Sequence, residues 1–411
     1  MGNKSDTGIA VYGKGIVTFV FLAALNVAAW YIFFNPKGIM RLYTPMYGFS
    51  MVVVLLASVV ILSDVFEYWP VRTKLTERLS AAQGAMLTVL SLALMALIIF
   101  VFFYRFIGKY GITYFSPAAL IATGETGAEA YSSRENASTA IIYFFTAFIW
   151  TATLWRAGFQ KWPWTQVKED AGVLGLSRLF AVSFFSIIAY IIFFHPHVGY
   201  LFYPPQKMAA VAPWWEGIAD TNSAYVHLGW MICCVAAVLL SEILWEGYPW
   251  KAFRGRGGEG SLFSGLAILS GIILLGLVIF VLMVKGMEAY WGKPFVGGQY
   301  TDAPYFRYLH AGEMAGFLMM GVLVVSTYLG NLFHGGPLLV RAAVRTVVAV
   351  ALAAGFLWFY YTIGPRVLGQ VPGIAQPEDT PLCWTFFMVS FMLMHRNFFL
   401  SYRFHRVRDI A

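Results

Sequence analysis

Residues 46–70 read MYGFSMVVVLLASVVILSDVFEYWP, an apolar run closed by an acidic, aromatic and proline-terminated tail. The tail, Ser63-Asp64-Val65-Phe66-Glu67-Tyr68-Trp69-Pro70, is echoed by Ser241-Glu242-Ile243-Leu244-Trp245-Glu246-Gly247-Tyr248-Pro249 at the end of another apolar run. The preceding runs match as well. Residues 31–45 read Tyr-Ile-Phe-Phe-Asn-Pro-Lys-Gly-Ile-Met-Arg-Leu-Tyr-Thr-Pro, and residues 190–204 read Tyr-Ile-Ile-Phe-Phe-His-Pro-His-Val-Gly-Tyr-Leu-Phe-Tyr-Pro. A duplicated membrane unit is the first expectation.

With 59% hydrophobic and 12% charged residues, the chain carries more apolar surface than a water-soluble fold can hide. Ten runs are long enough to cross a hydrocarbon core about 30 Å thick as helices. They lie near 15–34, 46–64, 84–106, 138–156, 179–195, 224–244, 262–284, 309–332, 342–363 and 381–401. The runs are continuous, so strands of a closed barrel are excluded. The fold class expected is an all-α polytopic transmembrane bundle of about ten spans, with the first span retained because no small-residue cleavage site follows a short apolar core.

Of the 28 Lys and Arg, 18 fall in the terminal tails, in the loops after even-numbered spans and beside them, against 10 elsewhere. The positive-inside rule then places both termini in the cytoplasm of a cell inner (plasma) membrane. An anionic leaflet accounts for the formal charge of +8 without any nucleic-acid partner. Cys233, Cys234 and Cys383 lie within apolar runs and lack paired spacing, which argues against zinc, iron–sulfur and covalent haem ligation.

Pro70, Pro163, Pro249 and Pro337 punctuate the cytoplasmic exits, and each interval between them holds one out-and-back helical pair. Repeated membrane boundaries would give the same punctuation. Spans 1–2 match spans 5–6 more closely than spans 3–4, which favours a four-helix unit used twice. The organisation expected is 1–178 for the first unit, 179–338 for the second, and 339–411 for a carboxy-terminal hairpin and tail. Four is even, so both units keep one orientation, and parallel rather than inverted repeats are implied. The loops at roughly 107–137, 196–223, 285–308 and 364–380 are long and lie outside, where they could seal the bundle or dock a partner.

Four of the seven histidines, His195, His197, His227 and His310, fall at the outer ends of spans 5, 6 and 8. Glu313 follows His310 by three residues and shares its helical face, while Glu216 and Asp220 enter span 6 from the same side. An imidazole beside a carboxylate in a partly buried setting is what quinol oxidation or proton-coupled transport requires. Interfacial placement or a structural hydrogen bond explains the histidines without chemistry, but a carboxylate inside a span is expensive and usually functional. On the inner side, Asp64 with Glu67 and Glu242 with Glu246 stand at helical spacings of three and four. Burial and mutual repulsion would raise their proton affinity and make a proton route, whereas solvated helix ends or ion pairs with Arg156, His334, His395 or Arg396 would make them structural. No phosphate-binding glycine loop, zinc-protease motif or nucleophile elbow occurs.

Two four-helix bundles plus a hairpin, no haem or cluster ligands, and acid and histidine residues near the outer face resemble the polysulfide-reductase membrane-subunit (NrfD-like) family. That resemblance implies a respiratory subunit that binds menaquinone or another quinone non-covalently near the outer face and exchanges electrons with an iron–sulfur or other redox subunit docked on the extracytoplasmic loops. Carried onto this chain, the quinone candidates are His195, His227, His310, Glu313 and Asp220, with Asp64, Glu67, Glu242 and Glu246 as a proton-transfer route. The alternative is a proton-coupled small-solute transporter or channel built on parallel repeats.

Overall fold

The computed structural model describes residues 8–42, 45–72, 79–107, 128–194, 222–254, 259–291, 306–369 and 381–399. Ten α-helices run through these segments: α1 (Gly8–Phe33), α2 (Pro45–Val60), α3 (Ala81–Ala96), α4 (Ala128–Phe159), α5 (Ala171–Phe194), α6 (Asn222–Leu239), α7 (Glu259–Trp291), α8 (Phe306–Leu323), α9 (Leu338–Leu368) and α10 (Pro381–Met394). π-Helical turns prolong α2 over Ile61–Val65, α6 over Leu240–Leu244, α8 over Val324–Tyr328 and α10 over His395–Phe399. Nine of the ten hold stretches long and apolar enough to cross a membrane, and no strand occurs among the described residues. The chain is an all-α, multi-pass membrane bundle.

Burial divides the helices into two populations. The spans of α2, α4, α6 and α8 are 94, 78, 67 and 89% buried against protein, whereas those of α1, α3, α5, α7 and α9 are 17, 28, 22, 33 and 17% buried. α10 buries twelve of its fourteen residues and belongs with the first group. The even-numbered helices close a ring, since α2 packs on α4, α4 on α6, α6 on α8, α8 on α10 and α10 on α2. Outside this ring α3 leans on α2, α5 on α4, α7 on α6, α9 on α8 and α1 on α10. Each helical hairpin thus contributes one outer and one inner helix, with α7 reaching α4 as well as α6 and α1 also resting on the π-helical turn that prolongs α8. Helices of both sequence quartets and of the carboxy-terminal hairpin share the ring.

Lipid gives no hydrophobic drive for helices to associate, so close backbone approach and satisfied polar groups must do so. The outer helices present Phe180, Phe263 and Val347 to the acyl chains. Glycine permits the inner contacts: at Gly229 a methyl group would strike the Tyr308 carbonyl of α8, and at Gly321 it would strike the Ala349 carbonyl of α9. Serines within the ring return their hydroxyls to the preceding turn, as Ser58 does to Val54 at 2.8 Å and Ser390 to Phe386 at 2.7 Å.

Each inner helix from α2 to α8 leaves the membrane through a left-handed corner, and those of α2, α6 and α8 share one hydrogen-bond pattern. Phe66 N–H donates to Ile61 and Tyr68 N–H to Leu62; Trp245 N–H donates to Leu240 and Gly247 N–H to Ser241; Leu329 N–H donates to Val324 and Asn331 N–H to Val325. Two left-handed residues then reverse the chain: Glu67 and Tyr68, Gln160 and Lys161, Glu246 and Gly247, Gly330 and Asn331, with φ between 51° and 80°. The reversed hydrogen bonds satisfy carbonyls that a helix end otherwise leaves open. All four corners lie on one side of the bundle, called here the corner face.

Left-handed φ at a non-glycine residue costs on the order of 1–2 kcal/mol. Buried arginines from outer helices brace two of these corners. Arg178 of α5, 4% exposed, donates to the Val65 carbonyl and meets Glu67 at 3.0 Å, while Lys161 meets the same carboxylate at 2.6 Å. Arg345 of α9, 1% exposed, donates to the carbonyls of Leu244, Leu332 and Phe333 and to Glu246 at 2.7 Å. The remaining acids are paired too, Asp64 with Arg156 at 3.2 Å and Glu242 with Arg254.

This corrects one expectation. Glu67 and Glu246 do not share a helical face with Asp64 and Glu242, because the helix has ended and the backbone has turned left-handed between them. Nor is their proton affinity raised. Burial pushes the Glu67 carboxyl up, but Lys161 and Arg178 outweigh it and hold the group below its ordinary 4.5. Burial acts the same way on Glu246, and Arg345 and Arg341 outweigh it.

Arg345→Ala should therefore lower unfolding stability in detergent by about 3 kcal/mol, because it strips three carbonyls of their donor and leaves Glu246 to Arg341 alone, while Arg341→Ala, at the rim, costs about 1 kcal/mol or less. Equal losses in thermal unfolding would contradict the bracing role. A carboxyl whose folded pKa is depressed adds stability above its unfolded value and loses it as pH falls through the folded value. Thermal stability should thus decline as pH drops below 4.5, and the Glu67→Gln/Glu246→Gln double variant should flatten that decline. An unchanged slope in the double variant would sink the assignment.

Candidate functional site

The ring of inner helices encloses a cavity of about 130 Å³ at its corner-face end. All five inner helices line it. Four of the lining residues, Leu56, Ile149, Val235 and Met319, each stand eleven residues before the first left-handed residue of their corner, and Val389 of α10 completes that layer. One apolar side chain from each helix therefore closes the cavity toward the middle of the bundle. A turn nearer the corners come Val60, Thr153, Leu239 and Leu393, and beyond them Ser63, Asp64, Arg156, Ile243, Arg396 and Asn397. The gradient from apolar floor to polar mouth follows from helical spacing, which brings positions three and four apart onto one face.

The mouth reaches water. Arg156 and Asp64 keep 33% and 23% of their side chains exposed. Arg156 approaches Asp64 through Nε, and its terminal nitrogens donate no hydrogen bond among the described residues. Arg396 donates to Ser326 of α8 at 3.4 Å. Ser63, 4% exposed, lines the cavity with a hydroxyl that has no hydrogen-bond partner among the described residues.

Of the quinone candidates, His195 and Asp220 lie outside the described residues, as do His197, Glu216 and most of the long outer loops. His310 and Glu313 are brought together. Their side chains share a hydrogen bond on α8, and they are 5% and 2% exposed. One turn further on, Phe317 packs against Tyr360 of α9 and Trp384 of α10. The indole N–H of Trp384 is buried with no acceptor among the described residues. His227 of α6 turns to α5, where its Nδ1 meets the Phe193 carbonyl at 2.7 Å and its ring packs edge-on to Phe193. That contact satisfies a carbonyl in the last turn of α5.

The four inner acids are placed at the corner face, each in an ion pair, and Asp64 alone of them lines the cavity. Among the described residues no three His, Cys, Asp or Glu side chains converge as metal ligands. Sequence reasoning did not single out Arg178 and Arg345. The signal was present: each is an arginine within a turn or two of the start of an apolar helix, opposite a corner that carries a glutamate. It also missed the closing layer, since nothing in an apolar run marks which face looks at a common axis. No family model, curated protein or solved structure matches this chain.

Proposed function

We propose that this protein is a membrane translocation protein that carries a small polar solute along the axis of the five-helix ring. One observation supports the reading most: the cavity is lined by every inner helix and by no outer one, so it lies on the axis rather than in a cleft facing lipid. Solute enters from the corner face, which the distribution of basic residues makes cytoplasmic. Leu56, Ile149, Val235, Met319 and Val389 form the gate, a hydrophobic constriction that opposes passage until the side chains part. The His310–Glu313 pair, buried on α8 toward the outer side, is a group that could couple proton movement to passage.

A respiratory role is the second reading, and the same pair favours it. A hydrogen-bonded imidazole and carboxylate with Phe317, Tyr360 and Trp384 close by have the composition of a quinol pocket, with electrons leaving toward an iron–sulfur partner. The two readings separate experimentally. Purified protein that retains menaquinone or another quinone, and loses quinol-linked turnover in Glu313→Gln, would favour the second.

The translocation reading is tested by stopped-flow flux into proteoliposomes with nitrate, formate, urea and glycerol as probes. At least one probe should enter faster than in protein-free vesicles. Trimming the gate with Ile149→Ala and Met319→Ala should lower the barrier by about 1.4 kcal/mol and so speed entry about tenfold. Flux of every probe at the protein-free rate, in both wild type and gate variant, would refute it.

A further inference from the structure

We infer that the axial cavity is a binding site for one small planar oxyanion, of nitrate or formate size, held by the free edge of the Arg156 guanidinium. The inference rests on the translocation reading and names its substrate class.

Three observations carry it. First, Arg156 approaches Asp64 through Nε at 3.2 Å without hydrogen-bond geometry, and its two terminal nitrogens donate no hydrogen bond among the described residues. A guanidinium edge presents parallel N–H donors whose spacing matches two oxygens of a planar oxyanion, which a compact ammonium does not. Second, the Ser63 hydroxyl is buried, lines the same cavity and has no hydrogen-bond partner among the described residues. A buried hydroxyl without a partner carries a desolvation cost that a ligand oxygen would remove. Third, the charges lining the cavity are two arginines, Arg156 and Arg396, against one aspartate, Asp64. The neighbouring acids are drawn elsewhere: Glu67 to Lys161 and Arg178, and Glu242 to Arg254. A cation entering this mouth would meet the arginines, whereas an anion meets donors.

Volume sets the size class. A cavity of about 130 Å³ has room for several waters, and hence for a three- or four-atom anion with part of its hydration, but not for a nucleotide or a sugar phosphate. The apolar layer beneath then stops the anion in the cavity until the ring opens. Asp64 plays a defined part in this arrangement. Its carboxylate occupies one side of Arg156 and competes with the anion for it, so that removing its charge should tighten binding.

The test is equilibrium binding of nitrate and of formate to the full chain in detergent by isothermal titration calorimetry, run beside the flux assay. Wild type should bind one anion per chain, Arg156→Gln should weaken binding at least tenfold, Ser63→Val should weaken it severalfold, and Asp64→Asn should strengthen it. Arg156→Gln must elute as monodisperse protein to be counted; if it does not, Asp64→Asn and Ser63→Val decide. Absence of anion binding in wild type, or binding unchanged or weakened by Asp64→Asn, would overturn the inference. Urea or glycerol flux without anion binding would overturn it while leaving translocation intact. Anion binding without flux of any probe would leave the site standing and remove the translocation reading.

Discussion

Charged and polar side chains cannot face acyl chains, and that constraint arranges nearly everything else in this bundle. Five helices accept the lipid, and they are apolar around most of their girth. The other five are thereby freed from it and can turn small polar groups, and at one end charged ones, toward a shared axis. Acids and arginines gather at two kinds of place that satisfy them: the corners, where they brace a reversed backbone, and the mouth of the axial cavity, where water reaches them. The cavity exists because the ring has five members, each contributing a side chain of similar size at the same height.

The corners show how much of this was written locally. Pro70, Pro163 and Pro249 mark the reversals, and their spacing gives the hairpin period. The left-handed pair preceding each proline left no such mark, because Glu67, Tyr68, Gln160 and Lys161 are residues that rarely adopt it. The bracing that makes it tolerable comes from α5 and α9, more than ninety residues away in the chain. Spacing of three and four therefore placed Asp64 with Glu67 and Glu242 with Glu246 on common faces, when the helix stops between the members of each pair.

The spans themselves were legible, since apolar runs of this length admit one backbone solution in lipid. One boundary shifted at an arginine: α9 begins at Leu338 rather than 342, so that Arg341 lies within the helix. The association of His310 with Glu313 was also legible, because it depends on a three-residue interval within one helix. What the chain's own order could not disclose was the division into inner and outer helices. The even-numbered runs are on the whole less apolar than the odd but overlap them, and only packing assigns Leu56, Ile149, Val235, Met319 and Val389 to a single layer. Arg156 was named as an ion-pair partner for the acids, and it meets Asp64 at the mouth of the cavity.

The central claim is that a water-reached vestibule on the ring axis ends at that layer. Substituted-cysteine accessibility along α2 tests it most directly, with the native Cys233, Cys234 and Cys383 buried away from the cavity lining and hence silent. Membrane-impermeant thiosulfonate applied from the corner face should label Ser63→Cys and Val59→Cys, which line the cavity, and should spare Val53→Cys, one turn past the closing layer on the same helical face. Labelling of Val53→Cys at the same rate as Ser63→Cys, or of none of the three, would contradict the account.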